Sequence, residues 1–426
     1  MVAAAVGAAA GADARPGVIR RTSLAGGPVV VTDEMPGSRS ATLGIWVGVG
    51  SRDEPAGLHG VTHFLEHLLF KGTAHRSPRD IARAIEGVGG DVNAYTAREH
   101  MVLHGRVPAR HAAGALELLC DVIAAPRLDP DDVELERHVI LDELAGAAEL
   151  PEDEAHRVGH EQLFPGHGLG RETLGSEASI RAVTAADVQS WFGSCFSSAP
   201  MVVAAAGGLR HDDVVALVQE RLGDGRAGRW RPSRECPPPP AATALELVRA
   251  AEQAHLLMAW RGPAGGDPAR WPMAVLTQIL GGGMASRLFQ EIREERGLVY
   301  GIDAAQSAYT DAGVLEIGAA SAPEDLGQVV DLVHAEVADV AGRGPTADEL
   351  ETAVGFLTGA LELAEEDSAA RMIGLGAAVW DRDEVPDLEA DLAAIRAVTV
   401  DDVGTLAAAL FAVDPVTVAV RPPPRS

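Results

Sequence analysis

The spacing of apolar residues along this chain predicts a series of helices and buried strands. Between Leu58 and Phe70, Phe64, Leu65, Leu68 and Leu69 recur three and four positions apart, which predicts a helix with one buried face and Thr62 placed to cap its start. From Asp129 to Leu144, Val133, Leu135, Val139, Ile140 and Leu144 predict a second helix, with Asp129 to Asp132 as its acidic first turn and Pro130 near its beginning. Ser40 to Gly50 reads as a buried strand ahead of the first helix. Gly89 to Glu99 reads as a turn and a short strand that continues into Met101 to His104. Farther on, His255 to Trp260 predicts another strand, and Gly281-Gly282-Gly283 predicts a turn leading into a helix. The Gly-Lys-Ser/Thr that a phosphate loop requires does not follow those glycines.

One stretch occurs twice. Ser179 to Val188 recurs as Ala394 to Val403, 215 residues later, and each copy runs on to a helix and an apolar strand, Met201 to Ala206 and Val416 to Val420. A repeat that long implies duplicated domains rather than a solenoid. Between the copies, Gly223 to Ala242 contains Gly225, Gly228, Pro232 and the run Pro237 to Pro240, the composition of a semi-rigid linker. The expected division is a disordered Ala-rich tail over residues 1–18, a domain over 19–222, a linker over 223–243 and a second domain over 244–426.

Composition narrows the class. With 426 residues, 47% hydrophobic and 23% charged, the chain is globular and long enough for two or more domains. No run of 18 or more apolar residues is free of Gly and charge, so no membrane span is expected. The opening Met1 to Ala14 lacks the positive start and apolar core of a signal peptide. Cys120, Cys195 and Cys236 are odd in number and widely spaced, which points to reduced thiols and a cytoplasmic location. A net charge of −27 argues against nucleic acid and anionic membranes as partners and favours positively charged peptides.

The chemistry lies on the first helix. His63 and His67 are one turn apart, so both imidazoles can reach one metal ion, and Glu66 projects beside them. The pentad His63-Phe64-Leu65-Glu66-His67 is H-x-x-E-H, the inversion of the common H-E-x-x-H zinc motif. A catalytic zinc takes three protein ligands, and a carboxylate that is not a ligand can accept the proton of its water; Glu66 is the candidate base. Glu136 and Glu143 lie two turns apart on one face of the second predicted helix, and either could reach the site or simply face solvent. His59 could join His63 and His67 in a three-histidine stripe if the helix began earlier, but Gly57 and Gly60 oppose that.

These residues resemble the pitrilysin/insulinase family of zinc metallopeptidases, in particular its short bacterial branch similar to mitochondrial processing peptidase. The resemblance runs from about Ile19 to Val420. In that family a Glu follows the second His by 76 residues, which makes Glu143 the implied third zinc ligand and Glu136 an accessory carboxylate. The chain has Asp142-Glu143 where the family usually has Glu-Glu. Asn93, Ala94 and Tyr95 match an edge strand to which substrate adds as a further strand, held by its main chain. Arg293 to Tyr300 matches a second-half signature whose Arg293 and Tyr300 close over the peptide and steady the scissile carbonyl or neighbouring backbone. The resemblance implies an α+β fold of two homologous α/β-sandwich domains, each an antiparallel-rich sheet with packed helices, forming half of a clamshell. It implies one zinc per chain and endopeptidase action on short or unfolded peptides, with Glu66 accepting the proton of the attacking water. It also implies a homodimer, or a heterodimer with a related inactive subunit. The competing expectation is a non-catalytic or partner-dependent subunit, against which the intact ligand set speaks.

Overall fold

A computed structural model describes residues 18–223, 228–240 and 243–423. Of the tail expected over residues 1–18, residues 1–17 lie outside the described residues and Val18 belongs to a strand. The chain forms two sheets clothed by helices, the mixed α/β architecture expected. Strands β1 (Val18–Ser23), β2 (Val29–Glu34), β3 (Ser40–Val47), β4 (Asp91–Thr96), β5 (Met101–Pro108) and β6 (Met201–Gly207) form the first sheet, in the order β1-β2-β6-β3-β5-β4. Strands β7 (Thr243–Val248), β8 (Ala254–Gly262), β9 (Val299–Ala308), β10 (Gly313–Ser321) and β11 (Val416–Arg421) form the second, in the order β7-β11-β8-β10-β9. Apart from β1, the second order repeats the first strand for strand. In both, the last strand in sequence pairs parallel with one neighbour and antiparallel with the other.

The repeat detected in sequence is a repeated capping device. Thr184 accepts the Asp187 N–H while Asp187 reaches back to the Thr184 backbone, and Thr399 and Asp402 do the same 215 residues later. Each box opens a helix, Ala185–Ser194 and Val400–Leu410, ahead of the closing strand of its sheet.

One face of each sheet carries helices from its own half. On the first, the buried face of the Val61–Leu69 helix and that of the Ala112–Ala124 helix join Leu43, Ile45 and Leu103 in the largest core. On the second, the Arg270–Gly281, Leu326–Arg343 and Val400–Leu410 helices pack on Met258, Trp260 and Leu315. The opposite faces are covered by exchange. The Pro151–Leu163 helix of the first half lies on β8 and β11, where Ala155, Val158 and Leu163 meet Leu257, Ala259 and Val418. The Ser368–Arg382 helix of the second half lies on β2, β3 and β6, where Met372, Leu375 and Val379 meet Val31, Trp46 and Val202. The contact is close enough that a Cβ on Gly376 would stand 2.1 Å from the Trp46 indole. Buried Asp33 receives the Arg371 guanidinium, and Thr42 Oγ1 lies 2.9 Å from Ser368 Oγ.

Gly281-Gly282-Gly283 closes the Arg270–Gly281 helix and opens the turn that leads into the next helical stretch, as expected. A close approach requires glycine at its start: a Cβ on Gly281 would stand 2.3 Å from the Ala304 backbone nitrogen of β9. A π-helical turn, Phe289–Glu294, follows.

Candidate metal centre and active site

The motif helix starts at Val61, and its cap is not Thr62. Gly60, at φ +87°, is the N-cap, and the Glu54 carboxylate serves the exposed amides from outside the helix, accepting from Gly60 N (2.7 Å) and Thr62 N (2.8 Å). Thr62 instead lies within the first turn, where its Oγ1 accepts from Trp191 Nε1 at 3.2 Å. Gly60 has to be glycine twice over, because its φ is left-handed and a Cβ would stand 2.6 Å from the Leu174 carbonyl oxygen. The break at Gly60 also leaves His59 outside the helix, and it does not join the cluster of possible ligands. Burial pushes the Glu54 carboxyl up to about 8.

Asp129 caps the second helix, Pro130–Glu149, by accepting from Asp131 N at 3.0 Å, with Pro130 at its first position. This helix lies along the motif helix. Its Glu143 turns toward both histidines: Oε2 is 3.7 Å from His63 Nε2 and 3.5 Å from His67 Nε2. One donor atom from each of the three lies within 4.8 Å of the others, the one such group of His, Cys, Asp or Glu among the described residues. Of the two carboxylates that sequence left open, Glu143 therefore faces the histidines with an oxygen free for a cation.

Glu136 does something different. It is 4% exposed, its Oε2 lies 3.1 Å from His67 Nδ1, and its Oε1 receives Lys71 Nζ at 2.5 Å. A carboxylate on Nδ1 fixes the tautomer and turns Nε2 into the cluster, the usual support for a metal-bound imidazole. Lys71 neutralises the carboxylate that does so. His63 is held neutral, its pKa pushed down to about 4 by burial and then by His67. Two imidazole nitrogens and one carboxylate oxygen are a donor set that zinc takes in hydrolases, so these residues fit that ion.

Glu66 stays out of the cluster. Its Oε2 accepts the Thr96 hydroxyl at 2.5 Å, and burial raises its pKa. Thr96 ends β4, an outer strand of the first sheet, which among the described residues pairs with β5 alone. Within β4, Ala94 is buried toward the core while Tyr95 stands on the other face, its ring 6.2 Å from that of His104. Asn93 Oδ1 accepts from Ala94 N at 2.9 Å.

Arg293 and Tyr300 lie together in the second half. The Arg293 guanidinium sits in the π-helical turn, 4.4 Å from the Phe289 ring and 5.6 Å from that of Tyr300. Tyr300, near the start of β9, is 82% exposed. Among the described residues, no hydrogen bond, ion pair or ring contact joins either to His63, His67, Glu66 or Glu143. Sequence reasoning missed Lys71, Thr96 and Glu54. Lys71 follows His67 by one helical turn and Thr96 follows the Asn93-Ala94-Tyr95 stretch, so position pointed at both; nothing in the pattern pointed at Glu54.

The chain is similar to known proteins over most of its length. Residues 29–177 match the family model described as Insulinase (Peptidase family M16), and residues 182–357 match that described as Peptidase M16 inactive domain. An uncharacterised zinc protease of Mycobacterium leprae is 42% identical over 402 residues, covering 92% of this chain and 89% of that one. Another, from Bacillus subtilis, is 30% identical over 397 residues, covering 93% and 97%. In fold, the chain is similar to a crystal structure of a peptidase M16 inactive domain from Pseudomonas fluorescens, with a TM-score of 0.86 at 24% identity, covering 96% of this chain and 98% of that one. It is equally similar to a protease from Helicobacter pylori, with a TM-score of 0.85 at 18% identity, covering 96% and 100%. No helix among the described residues is long and apolar enough to cross a membrane. With both halves matched and a relative so similar along nearly its whole length, the chain belongs to the insulinase family of peptidases, M16.

Proposed function

We propose that this chain is a zinc-dependent endopeptidase that binds one zinc ion and hydrolyses short or unfolded peptides. The observation that carries the reading is the pairing of an open ligand set, His63, His67 and Glu143, with a separate half-buried carboxylate, Glu66, held beside it by Thr96. Zinc bound there would polarise the peptide carbonyl and lower the pKa of the attacking water. Glu66 takes the water's proton as the carbonyl is attacked and returns it to the leaving amine. The unpaired outer edge of β4 offers main-chain hydrogen bonds to an extended peptide next to Glu66, which favours broad tolerance of side chains. The net charge of −27 favours basic peptides.

Arg293 and Tyr300 enter as the residues that oppose charge on the scissile carbonyl. Tyr300 is exposed and has no contact with the metal cluster of its own chain, which supports its delivery by a second subunit facing this one, in a homodimer or a heterodimer with a related inactive chain. Three unbridged cysteines are in keeping with a cytoplasmic protein. A purely non-catalytic subunit is disfavoured by the complete ligand set and the separate base.

Zinc content measured together with cleavage of a mixed peptide library, with and without chelator, tests the reading. About one zinc per chain and chelator-sensitive cleavage are expected. Cleavage that persists in zinc-free protein would overturn it. Stoichiometric zinc without cleavage, unrelieved by any partner chain, would turn the assignment to the non-catalytic alternative.

A further inference from the structure

Two hairpin turns, one from each half, meet over a buried group of charges. The turn between β4 and β5 carries Glu99, 6% exposed; the turn between β9 and β10 carries Thr310 and Asp311. Arg52, also buried, donates to Glu99 at 2.5 Å and to both carboxylate oxygens of Asp311 at 2.8 and 2.6 Å. Arg234, from the segment between the halves, donates to Asp53 at 3.0 and 2.9 Å, to the Glu99 carbonyl at 2.7 Å and to the Thr310 hydroxyl at 3.1 Å. Thr310 completes the circuit, giving its backbone N–H (2.9 Å) and its hydroxyl (2.8 Å) to Glu99 Oε2.

Stability alone is a poor reason for such a group. Removing two guanidinium and three carboxylate groups from water costs about as much as their pairing returns, and apolar residues of similar volume often do as well or better. What directional, fully paired charges add is a fixed geometry. The surroundings say what is being fixed. Ser51 N and Arg52 N donate to the Ala97 and Arg98 carbonyls at 3.2 and 2.8 Å, so the turn Ser51–Asp53 is clamped onto the first hairpin. The residue after Asp53 is Glu54, which caps the motif helix; the residue before Ala97 is Thr96, which holds Glu66. The cluster thus lies one residue from Glu54 and three from Thr96, the two supports of the site, and Thr310 and Asp311 join it to the hairpin that begins beside Tyr300.

We propose that Arg52, Asp53, Glu99, Arg234, Thr310 and Asp311 are positioning residues. They bind the second half's hairpin to the first and, through Thr96 and Glu54, hold β4 and the motif helix so that Glu66 stands beside His63, His67 and Glu143. The effect on turnover rests on the peptidase reading, whereas the mechanical tie does not.

The test uses the full chain carrying Asp311→Asn, Thr310→Ala or Thr310→Ser. Asp311→Asn leaves Arg52 paired with Glu99, so no buried charge is left bare, and Thr310→Ser keeps both donors. Hydrogen exchange is followed at the β4 amides, with β2 as internal reference, alongside zinc content and peptide kinetics. Expected are exchange at Asn93 to Thr96 about tenfold faster or more in Asp311→Asn and Thr310→Ala, and near-normal exchange in Thr310→Ser. Zinc content holds while kcat falls on the order of tenfold and KM changes little, as for a base displaced by a fraction of an ångström. Unchanged β4 exchange in both disruptive variants, or Thr310→Ser behaving as Thr310→Ala, would overturn the tie. Faster exchange with kcat intact would overturn the link to Glu66. Faster exchange in a chain whose parent cleaves no peptide would count against the peptidase reading and in favour of the tie.

Discussion

Replacing Glu66 by Gln separates the proposed base from the proposed ligands. Gln is nearly the same size, and its amide oxygen can still accept the Thr96 hydroxyl that reaches Glu66 Oε2 at 2.5 Å, so the side chain keeps its place. His63, His67 and Glu143 do not hydrogen-bond to Glu66, and Glu136 and Lys71 support His67 independently of it. Zinc stoichiometry and melting temperature should therefore stay at the parent values. What disappears is the ability to take a proton. General-base catalysis contributes about 10² to 10⁴ in rate, or roughly 3 to 5 kcal/mol of barrier. Because the same carboxylate is proposed to take the proton and to return it, a loss near the upper end is expected, carried by kcat with KM little changed. The assay is peptide turnover beside metal analysis on the same preparation. Turnover within about tenfold of the parent would refute the assignment of Glu66 as base, and loss of zinc together with activity would show that Glu66 supports the metal instead.

The remaining expectations concern the metal, the cap and the fold. Glu143→Ala removes a ligand and should leave the dialysed protein with far less than one zinc per chain, whereas Glu136→Ala, which removes the acceptor on His67 Nδ1, should weaken zinc about 10- to 100-fold in competition with a chromogenic chelator; unchanged affinity would remove Glu136 from any supporting role. Glu54 has its carboxyl pushed up to about 8 in the folded chain, against about 4.3 when unfolded. The folded chain therefore binds that proton more tightly, and stability should fall as pH rises between those values and level off above about 8. Glu54→Gln should lack that slope, and a difference in melting temperature that does not vary from pH 5 to 8 would contradict the burial argument. Gly376→Ala pushes a methyl into the Trp46 ring and should cost about 1–3 kcal/mol, read as a melting temperature lowered by several degrees; an unshifted melt would mean that the exchanged helix docks more loosely than described.

How much of this was legible in sequence depends on the range over which each feature is decided. The helical spacing of His63 and His67 is a local property, and the structure brings both imidazoles toward Glu143 as that spacing requires. The two capping boxes are local too, which is why the 215-residue repeat could be seen. Thr62 was misjudged because a local cap candidate was outdone by Glu54, a residue outside the helix whose carboxylate reaches two amides at once. The triple glycine is legible as a turn into a helix, whereas the close approach of β9 that demands glycine at 281 is met only after folding. The supports of His67 and Glu66 come from side chains 69 and 30 residues away in sequence, a pairing that periodicity cannot announce. The exchange of helices between the two sheets left no mark on the pattern at all, since an apolar helix face looks the same whichever sheet it will cover.

That exchange has a consequence for how such a chain can be divided or lost. Each sheet borrows the cover for one of its faces from the other half, so a fragment ending near Leu222 would expose Val31, Trp46 and Val202 to water, and a fragment beginning near Thr243 would do the same with Leu257, Ala259 and Val418. Neither piece makes a finished monomer, but the two expressed together should recognise each other and assemble. By the same reciprocity, the second half, which carries no H-x-x-E-H, supplies the helix that covers the sheet behind the histidines. Deleting it would strip the half that holds the histidines.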